Sequence, residues 1–259
     1  MKIKRVLFLI ITVAFLFNCR CYFWGPIAPK RPPCPPPCED VIIGVKHLNC
    51  ADSLYQINLS TKEYISIAPL SINLPNRYGG LDFNIDDNLY LGVAETGDLY
   101  QVDPATGTAT LIINIPLSYG KILTSIAFAP VEVAGPDNSS FPAGTLFGAE
   151  NSIIHAINIE TGDVQVIGDV GRKSDALAFS DEGVLYGIEE ANALRIIDIE
   201  TVESSTVISE PLGCHNLTAA CDRFLYSAGT VLYRLNPDTG DMDSLCNVSD
   251  KTAGLATMP

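Results

Sequence analysis

The sequence is poor in positive charge. Its 259 residues include 16 Lys and Arg against 30 Asp and Glu, for a formal net charge of −14. An acidic surface repels phosphate backbones, so we expect no nucleic-acid partner. Uncharged ligands, cations and basic partners remain compatible with this charge.

The sequence also lacks the residue pattern of a zinc site. It has only three His and no paired CxxC motif. Its eight Cys therefore favour disulfides in an oxidising compartment, although the spacing does not choose a pairing. A local bridge between Cys34 and Cys38 would stiffen the segment around them. The six that lie beyond the targeting region are Cys34, Cys38, Cys50, Cys214, Cys221 and Cys246.

No apolar run is long enough to span a bilayer comfortably. Residues 6–17 are apolar apart from one Thr, follow a basic start, and have the length of a signal-peptide core. We therefore predict a signal peptide over residues 1–21, with an uncleaved membrane anchor as the alternative. Two cleavage patterns fit: a lipoprotein site that would acylate Cys19, and ordinary cleavage after Cys21. Either predicts a secreted or membrane-anchored extracytoplasmic protein.

A proline-rich segment follows the targeting region. Residues 25–38 read GPIAPKRPPCPPPC. Proline fixes φ and lacks an N–H group, so this segment favours an extended polyproline conformation over a central strand. We interpret residues 22–39 as a stiff spacer ahead of the folded domain.

Helical periodicity is absent, and a short β repeat takes its place. One turn motif recurs about every 40 residues, preceded by a short apolar strand and followed by an alternating one. Asp or Asn at its first position and Gly at its last suit a tight hairpin turn. The copies are NLSTK (58–62), DPATG (103–107), NIETG (158–162), DIETV (198–202) and NPDTG (236–240).

Two further strands precede each turn unit. One resembles LYG, as at residues 185–187, and the other resembles ALAF, as at residues 176–179. Four short strands in about 40 residues are typical of a propeller blade. The first unit lacks its innermost strand, and a matching segment ends the chain at residues 253–257. The sequence therefore predicts an all-β, five-bladed β-propeller over residues 40–259, in which the C-terminal strand pairs with the N-terminal blade. The alternative is an open array that needs a partner chain.

One connection is longer than its equivalents. It lies between Phe128 and Leu146 and is rich in turn-forming residues. We expect it to form a surface loop.

These motifs resemble the repeats of secreted bacterial β-propeller proteins, in the style of NHL-like and quinoprotein-like propellers. The resemblance covers residues 41–257 and implies the fold. Such proteins include binding modules, assembly scaffolds and some enzymes. The only Trp is Trp24, in the spacer, so the tryptophan docking motif of quinoproteins is absent. The resemblance therefore implies no quinone cofactor.

Aligned innermost strands place polar residues near one mouth of the channel. Thr124, Asp175 and His215 are ligand-binding candidates, and an Asp175–His215 pair could orient an imidazole for acid–base catalysis. The simpler interpretation is a pair of polar residues lining the channel. No serine or cysteine is placed as a nucleophile.

Acidic residues end several second strands and form a second candidate group. Glu95, Glu150 and Glu189, with the adjacent Glu190, could hold Ca²⁺ or a basic partner, although solvated loop charge is the favoured interpretation. Two functions remain. The favoured one is a non-enzymatic binding or scaffold module, without a cofactor, for a protein or glycan at the cell surface. The alternative is an extracellular hydrolase or lactonase. Membrane contact is expected only through an N-terminal lipid or anchor.

Overall fold

The computed structural model describes residues 41–48, 51–72, 78–116, 122–190, 193–209, 212–213, 215–248 and 252–258. Cys38–Pro259 forms one compact unit. The predicted signal peptide, Cys19 and most of the predicted spacer precede that unit, and all lie outside the described residues. Within the described ranges, no helix is long and apolar enough to cross a membrane.

Five four-stranded antiparallel sheets form the blades of a β-propeller. In each blade the strands follow one another outward from the innermost to the outermost. Blade 1 comprises β22 (Thr252–Thr257), β1 (Val41–Leu48), β2 (Ala51–Asn58) and β3 (Tyr64–Pro69). Blade 2 comprises β4 (Tyr78–Phe83), β5 (Leu89–Val93), β6 (Asp98–Val102) and β7 (Ala109–Asn114). Blade 3 comprises β8 (Leu123–Phe128), β11 (Leu146–Glu150), β12 (Ile153–Ile157) and β13 (Val164–Asp169). Blade 4 comprises β14 (Ser174–Phe179), β15 (Leu185–Glu189), β16 (Ala193–Asp198) and β17 (Glu203–Ile208). Blade 5 comprises β18 (Thr218–Ala219), β19 (Leu225–Ala228), β20 (Val231–Leu235) and β21 (Met242–Asn247).

The predicted closure is confirmed. Strand β22 pairs antiparallel with β1, so that Gly44 lies opposite Leu255 and Ile43 opposite Ala256. The last strand of the chain thus becomes the innermost strand of the first blade. This pairing removes the exposed sheet edges that an open array would present.

The innermost strands contact one another around the whole ring, in the order β22, β4, β8, β14, β18 and back to β22. Apolar residues of facing blades form the core between them. One cluster joins blade 1 to blade 2 through Val45 and Leu81, and another joins blade 5 to blade 1 through Tyr226 and Leu255. The core is therefore a set of layers between neighbouring blades, which requires that all five be present.

The repeated turns have the geometry that their residues favour. The side chain of Asp103 accepts the backbone N–H of Ala105 at 2.9 Å, and Asn58 accepts that of Thr61 at 2.8 Å. Gly107 closes its turn with φ of 69°. In blade 4 the equivalent residue is Val202, which takes φ of 58° although a β-branched side chain disfavours it. The Val202 side chain packs against the core cluster of blades 3 and 4, and this contact accounts for its presence.

The long connection of blade 3 is more than a surface loop. It contains a small hairpin, β9 (Val133–Ala134) paired with β10 (Ser140–Phe141), around a single 3₁₀ turn at Pro136–Asn138. Phe141 is buried, and its ring lies 5.4 Å from that of Phe147 between centroids. The sequence-based expectation of a surface loop is therefore wrong for part of the segment, because an aromatic side chain anchors it in the core.

Candidate functional site

The propeller has two faces, which we name by the innermost strands. The start face is where these strands begin, near Leu123, Ser174 and Thr252. The turn face is where they end, and it also bears the repeated turns, such as residues 103–107. All six predicted ligand-binding residues lie on the start face. Five of them belong to blades 3 to 5, and Glu95 belongs to blade 2.

Thr124 joins blades 3 and 4. Its buried hydroxyl lies 2.6 Å from the carbonyl oxygen of Ser174 in blade 4 and 3.0 Å from that of Ala149 in its own blade. The next residue, Ser125, accepts the backbone N–H of Leu177 at 2.6 Å. Both hydroxyls are thus engaged by backbone groups, so Thr124 holds two blades together and is not directed at a ligand.

Asp175 and His215 lie together on blade 4 and blade 5. Asp175 Oδ2 is 3.0 Å from His215 Nδ1, and Asp175 Oδ1 accepts a hydrogen bond from Lys173. Burial alone would raise the pKa of Asp175, but the hydrogen bonds from His215 and Lys173 outweigh it and hold the pKa below its usual value. The carboxyl is nearly buried, whereas the His215 side chain is 68% exposed. The arrangement fixes the imidazole and leaves its other nitrogen toward solvent.

Glu150 and Glu189 are buried carboxylates, each in contact with a basic side chain. The expectation of solvated loop charge is wrong for both, since each is less than a tenth exposed. Glu150 Oε2 lies 3.1 Å from His155 Nε2. Glu189 binds Arg172 at 2.9 Å and also contacts Arg195. These contacts have a structural role in the blades, because a buried charge must be paired to be tolerated.

A shared strand register produces these pairs. His155 lies opposite Gly148 on the neighbouring strand, and Arg195 lies opposite Gly187. In each blade the glutamate lies two residues beyond the glycine on the second strand, within reach of the large side chain of the third strand. Blade 1 uses the same geometry with Gly44 and Tyr55, whose hydroxyl bonds Thr252 at 2.6 Å. A Cβ at Gly44 would lie only 2.2 Å from the Tyr55 ring.

Glu95 and Glu190 remain exposed on the start face. Among the described residues, no group of three His, Cys, Asp or Glu side chains is placed to hold a metal ion. The predicted carboxylate ring is therefore divided between buried ion pairs and separate surface charges. The geometry does not favour the Ca²⁺ site considered from the sequence.

The described residues test only part of the disulfide prediction. Cys246 is a free thiol, and burial raises its pKa. Cys221 has an interaction partner. Cys34, Cys38, Cys50 and Cys214 lie outside the described residues, so the disulfide pairing stays a prediction.

Solved structures similar to this chain share its fold at low sequence identity. One is the symmetrical protein studied for its de novo evolutionary emergence and folding constraints, at 18% identity and a TM-score of 0.56, covering 85% of this chain and 99% of that one. Another is in the nidogen–laminin complex, at 12% identity and a TM-score of 0.52, covering 85% and 98%. No family model matches the chain, and no curated protein matches it. The similarity extends to the fold alone. The propeller's function must therefore be argued from its own residues.

The sequence-based candidates missed the turn face of the propeller. There, a cavity of about 390 Å³ lies at the end of the channel and is lined by residues of all five blades. Its lining includes Asp82 of the innermost strand β4, which is not among the sequence-based candidates. The signal was present in the sequence, since a carboxylate occupies a position where blades 3 and 4 have Ala127 and Ala178.

Proposed function

We propose that the chain is an exported, cell-surface propeller that binds a protein or a glycan and catalyses no reaction. Its repeats resemble those of secreted bacterial β-propellers with binding or scaffold roles. The observation that supports this proposal is the engagement of the candidate catalytic groups of the start face. The buried carboxylates of Asp175, Glu150 and Glu189 are each engaged by a basic side chain.

The exposed members of those pairs form a surface suited to a partner. The Arg172 side chain is 61% exposed and that of His215 is 68% exposed, while their acidic partners are buried. A buried carboxylate holds each exposed group in one orientation, which lowers the entropy cost of binding. Export through the predicted signal peptide and a tether made by the Pro-rich spacer would present this face outside the cell.

A hydrolase is the second candidate, and the fixed, exposed imidazole of His215 is the observation that favours it. A general base needs its proton acceptor within hydrogen-bond reach of the substrate, and the 68% exposed side chain of His215 is accessible to one. It lacks an adjacent nucleophile among the described residues, since the nearby hydroxyls of Thr124 and Ser125 are engaged in joining blades. Attack by a water molecule would then be required.

Paired activity and binding assays on the double variant Asp175→Ala/His215→Ala separate the two functions. We expect no turnover of chromogenic esters, lactones or glycosides by the natural chain. We expect any thermal stabilisation by simple glycans or Ca²⁺ to weaken but not to vanish in the double variant, because Arg172 and the other exposed residues of the face remain. We also expect its unfolding free energy to fall by no more than about 2 kcal/mol, because His215 is exposed and Lys173 is solvent-accessible. The control is Glu132→Gln, an exposed carboxylate on the turn face.

Turnover that disappears in the double variant and survives in Glu132→Gln would contradict the binding function. Such a result would assign the start face to the hydrolase alternative.

A further inference from the structure

The channel cavity of the turn face is lined at one level by residues of all five innermost strands. Strand register places five residues at one level, since each pairs with the equivalent residue of its blade's second strand, as Phe83 pairs with Leu89 and Ala219 with Leu225. Three of the five are phenylalanine and two are small. The five are Phe83, Phe128, Phe179, Ala219 and Thr257, and all of them line the cavity.

The cavity has the size and the walls of a small-molecule site. Its volume of about 390 Å³ falls within the range of roughly 300–1,000 Å³ that is typical of ligand pockets. The phenylalanines and Met258 provide apolar walls. The described lining residues include no Lys, Arg or His, and their acidic members are Asp82, Asp87 and Asp181. The cavity therefore combines an apolar interior with negative charge only.

Asp82 is the carboxylate that the fold fixes in place. Its Oδ2 accepts the backbone N–H of Phe128 in blade 3 at 2.7 Å, and its Oδ1 accepts that of Phe83 at 2.9 Å. Each carboxylate oxygen can accept a second hydrogen bond, so acceptor capacity remains for a ligand. Burial raises the pKa of Asp82 to about 7, against the opposing effect of the two backbone hydrogen bonds. A desolvated carboxylate without a cationic partner is costly, and a ligand cation would relieve that cost.

We propose that this cavity binds a small organic cation, a protonated amine attached to an apolar body, with the carboxylate of Asp82 as its counter-ion. An organic cation fits better than a metal ion. The described residues offer no cluster of three metal-ligating side chains. Aromatic walls suit an organic cation and its hydrocarbon body better than a hydrated metal ion. This site is separate from the start face and does not depend on the function proposed there.

The other charged groups around the cavity are consistent with this ligand. Burial raises the pKa of Asp181, Glu182 adds to that effect, and Arg223 opposes it. Asp87 lies in the turn after β4. Both Asp87 and Cys221 line the cavity. Tyr90 lies opposite Asp82 on β5, and burial raises its pKa, so its hydroxyl stays neutral at neutral pH. With a pKa of about 7, Asp82 changes its ionisation near neutral pH.

Titration calorimetry with benzylammonium and its neutral analogue benzyl alcohol tests the site in the full chain. At pH 8 we expect saturable binding of benzylammonium and at least tenfold weaker binding of benzyl alcohol. Asp82→Asn should weaken benzylammonium binding at least tenfold. Glu132→Gln is the matched control, because it removes an exposed carboxylate outside the cavity and should leave binding unchanged.

A cavity-filling variant keeps the proposal testable if Asp82→Asn fails to fold. Ala219→Phe introduces the residue that three other blades have at this level, at a partly exposed position that lines the cavity, so we expect it to narrow the cavity and to weaken binding at least tenfold. In the natural chain, affinity should fall about tenfold for each pH unit below about 7, because protonation removes the counter-ion. Equal binding of the amine and the alcohol, no binding at pH 8, or undiminished binding in Ala219→Phe would each overturn the proposal.

Discussion

Deleting residues 252–259 should unfold the propeller. This change removes β22, in which Leu255 and Ala256 are buried, and with it the backbone ladder to β1. It also uncovers Leu81 on the facing strand of blade 2. The lost apolar burial and backbone hydrogen bonds are together worth roughly 5 kcal/mol or more, which is comparable to the whole stability of a typical domain. Thermal melting should show loss of the cooperative unfolding transition. Size-exclusion chromatography should show self-association through the exposed edges.

Deletion of residues 258–259 alone provides the control, because it leaves Thr252–Thr257 in place. We expect this shorter deletion to remain monomeric and to melt within a few degrees of the natural chain. If the longer deletion melted at the same temperature and eluted as the same species as the control, the ring would not depend on β22.

Asn216→Ala should cause the largest loss of stability among single polar substitutions on the innermost strands. The buried side chain of Asn216 accepts the N–H of Ala228 at 2.8 Å and donates to the carbonyl oxygens of Ala228 and Thr252 at 2.6 and 3.1 Å. Alanine would leave these buried groups unpaired at the junction of blades 5 and 1. At about 1–3 kcal/mol for a group left unsatisfied, we expect a loss of about 3 kcal/mol in denaturant unfolding.

The matched control is Asn247→Ala, an exposed asparagine near the end of β21. Its unfolding free energy should change by no more than about 0.5 kcal/mol, as is usual for surface positions. Equal effects of the two substitutions would show that Asn216 does not join the blades.

Sequence repetition was sufficient to predict the ring. The turn motifs gave the period, and the Gly-Leu-Ala-Thr segment at residues 254–257 matched the innermost strand that the first unit lacked. The insertion after Phe128 was less predictable, because nothing in its turn-rich sequence distinguished an anchoring Phe141 from an exposed one. Its burial depends on rings from two other segments, Phe147 and Phe179, which the aromatic contacts bring together.

The roles of the charged residues were harder to predict than their positions. The alignment of the repeats placed Asp175 beside His215, because both positions follow from the repeat. It could not pair Glu189 with Arg195, since that contact requires the exact register of β15 and β16. Glu150 and Glu189, which were expected to be loop charge, are buried and paired for this reason.

The channel cavity illustrates the opposite case. Its position follows from the repeat, since Ala219 and Thr257 stand where other blades have phenylalanine. Its negative charge follows from Asp82, which the sequence already placed on an innermost strand. The missing element was the direction of the side chain, which the hydrogen bond to the N–H of Phe128 fixes between blades 2 and 3.

Native-state hydrogen exchange of the β22 amides tests ring closure most directly, because it needs no substitution. If β22 is the innermost strand of blade 1, its hydrogen-bonded amides should exchange only through global unfolding, with the same free energy as those of its partner β1. Exchange of residues 252–257 at the rate of an unstructured peptide, while β1 stays protected, would contradict the closed five-bladed ring.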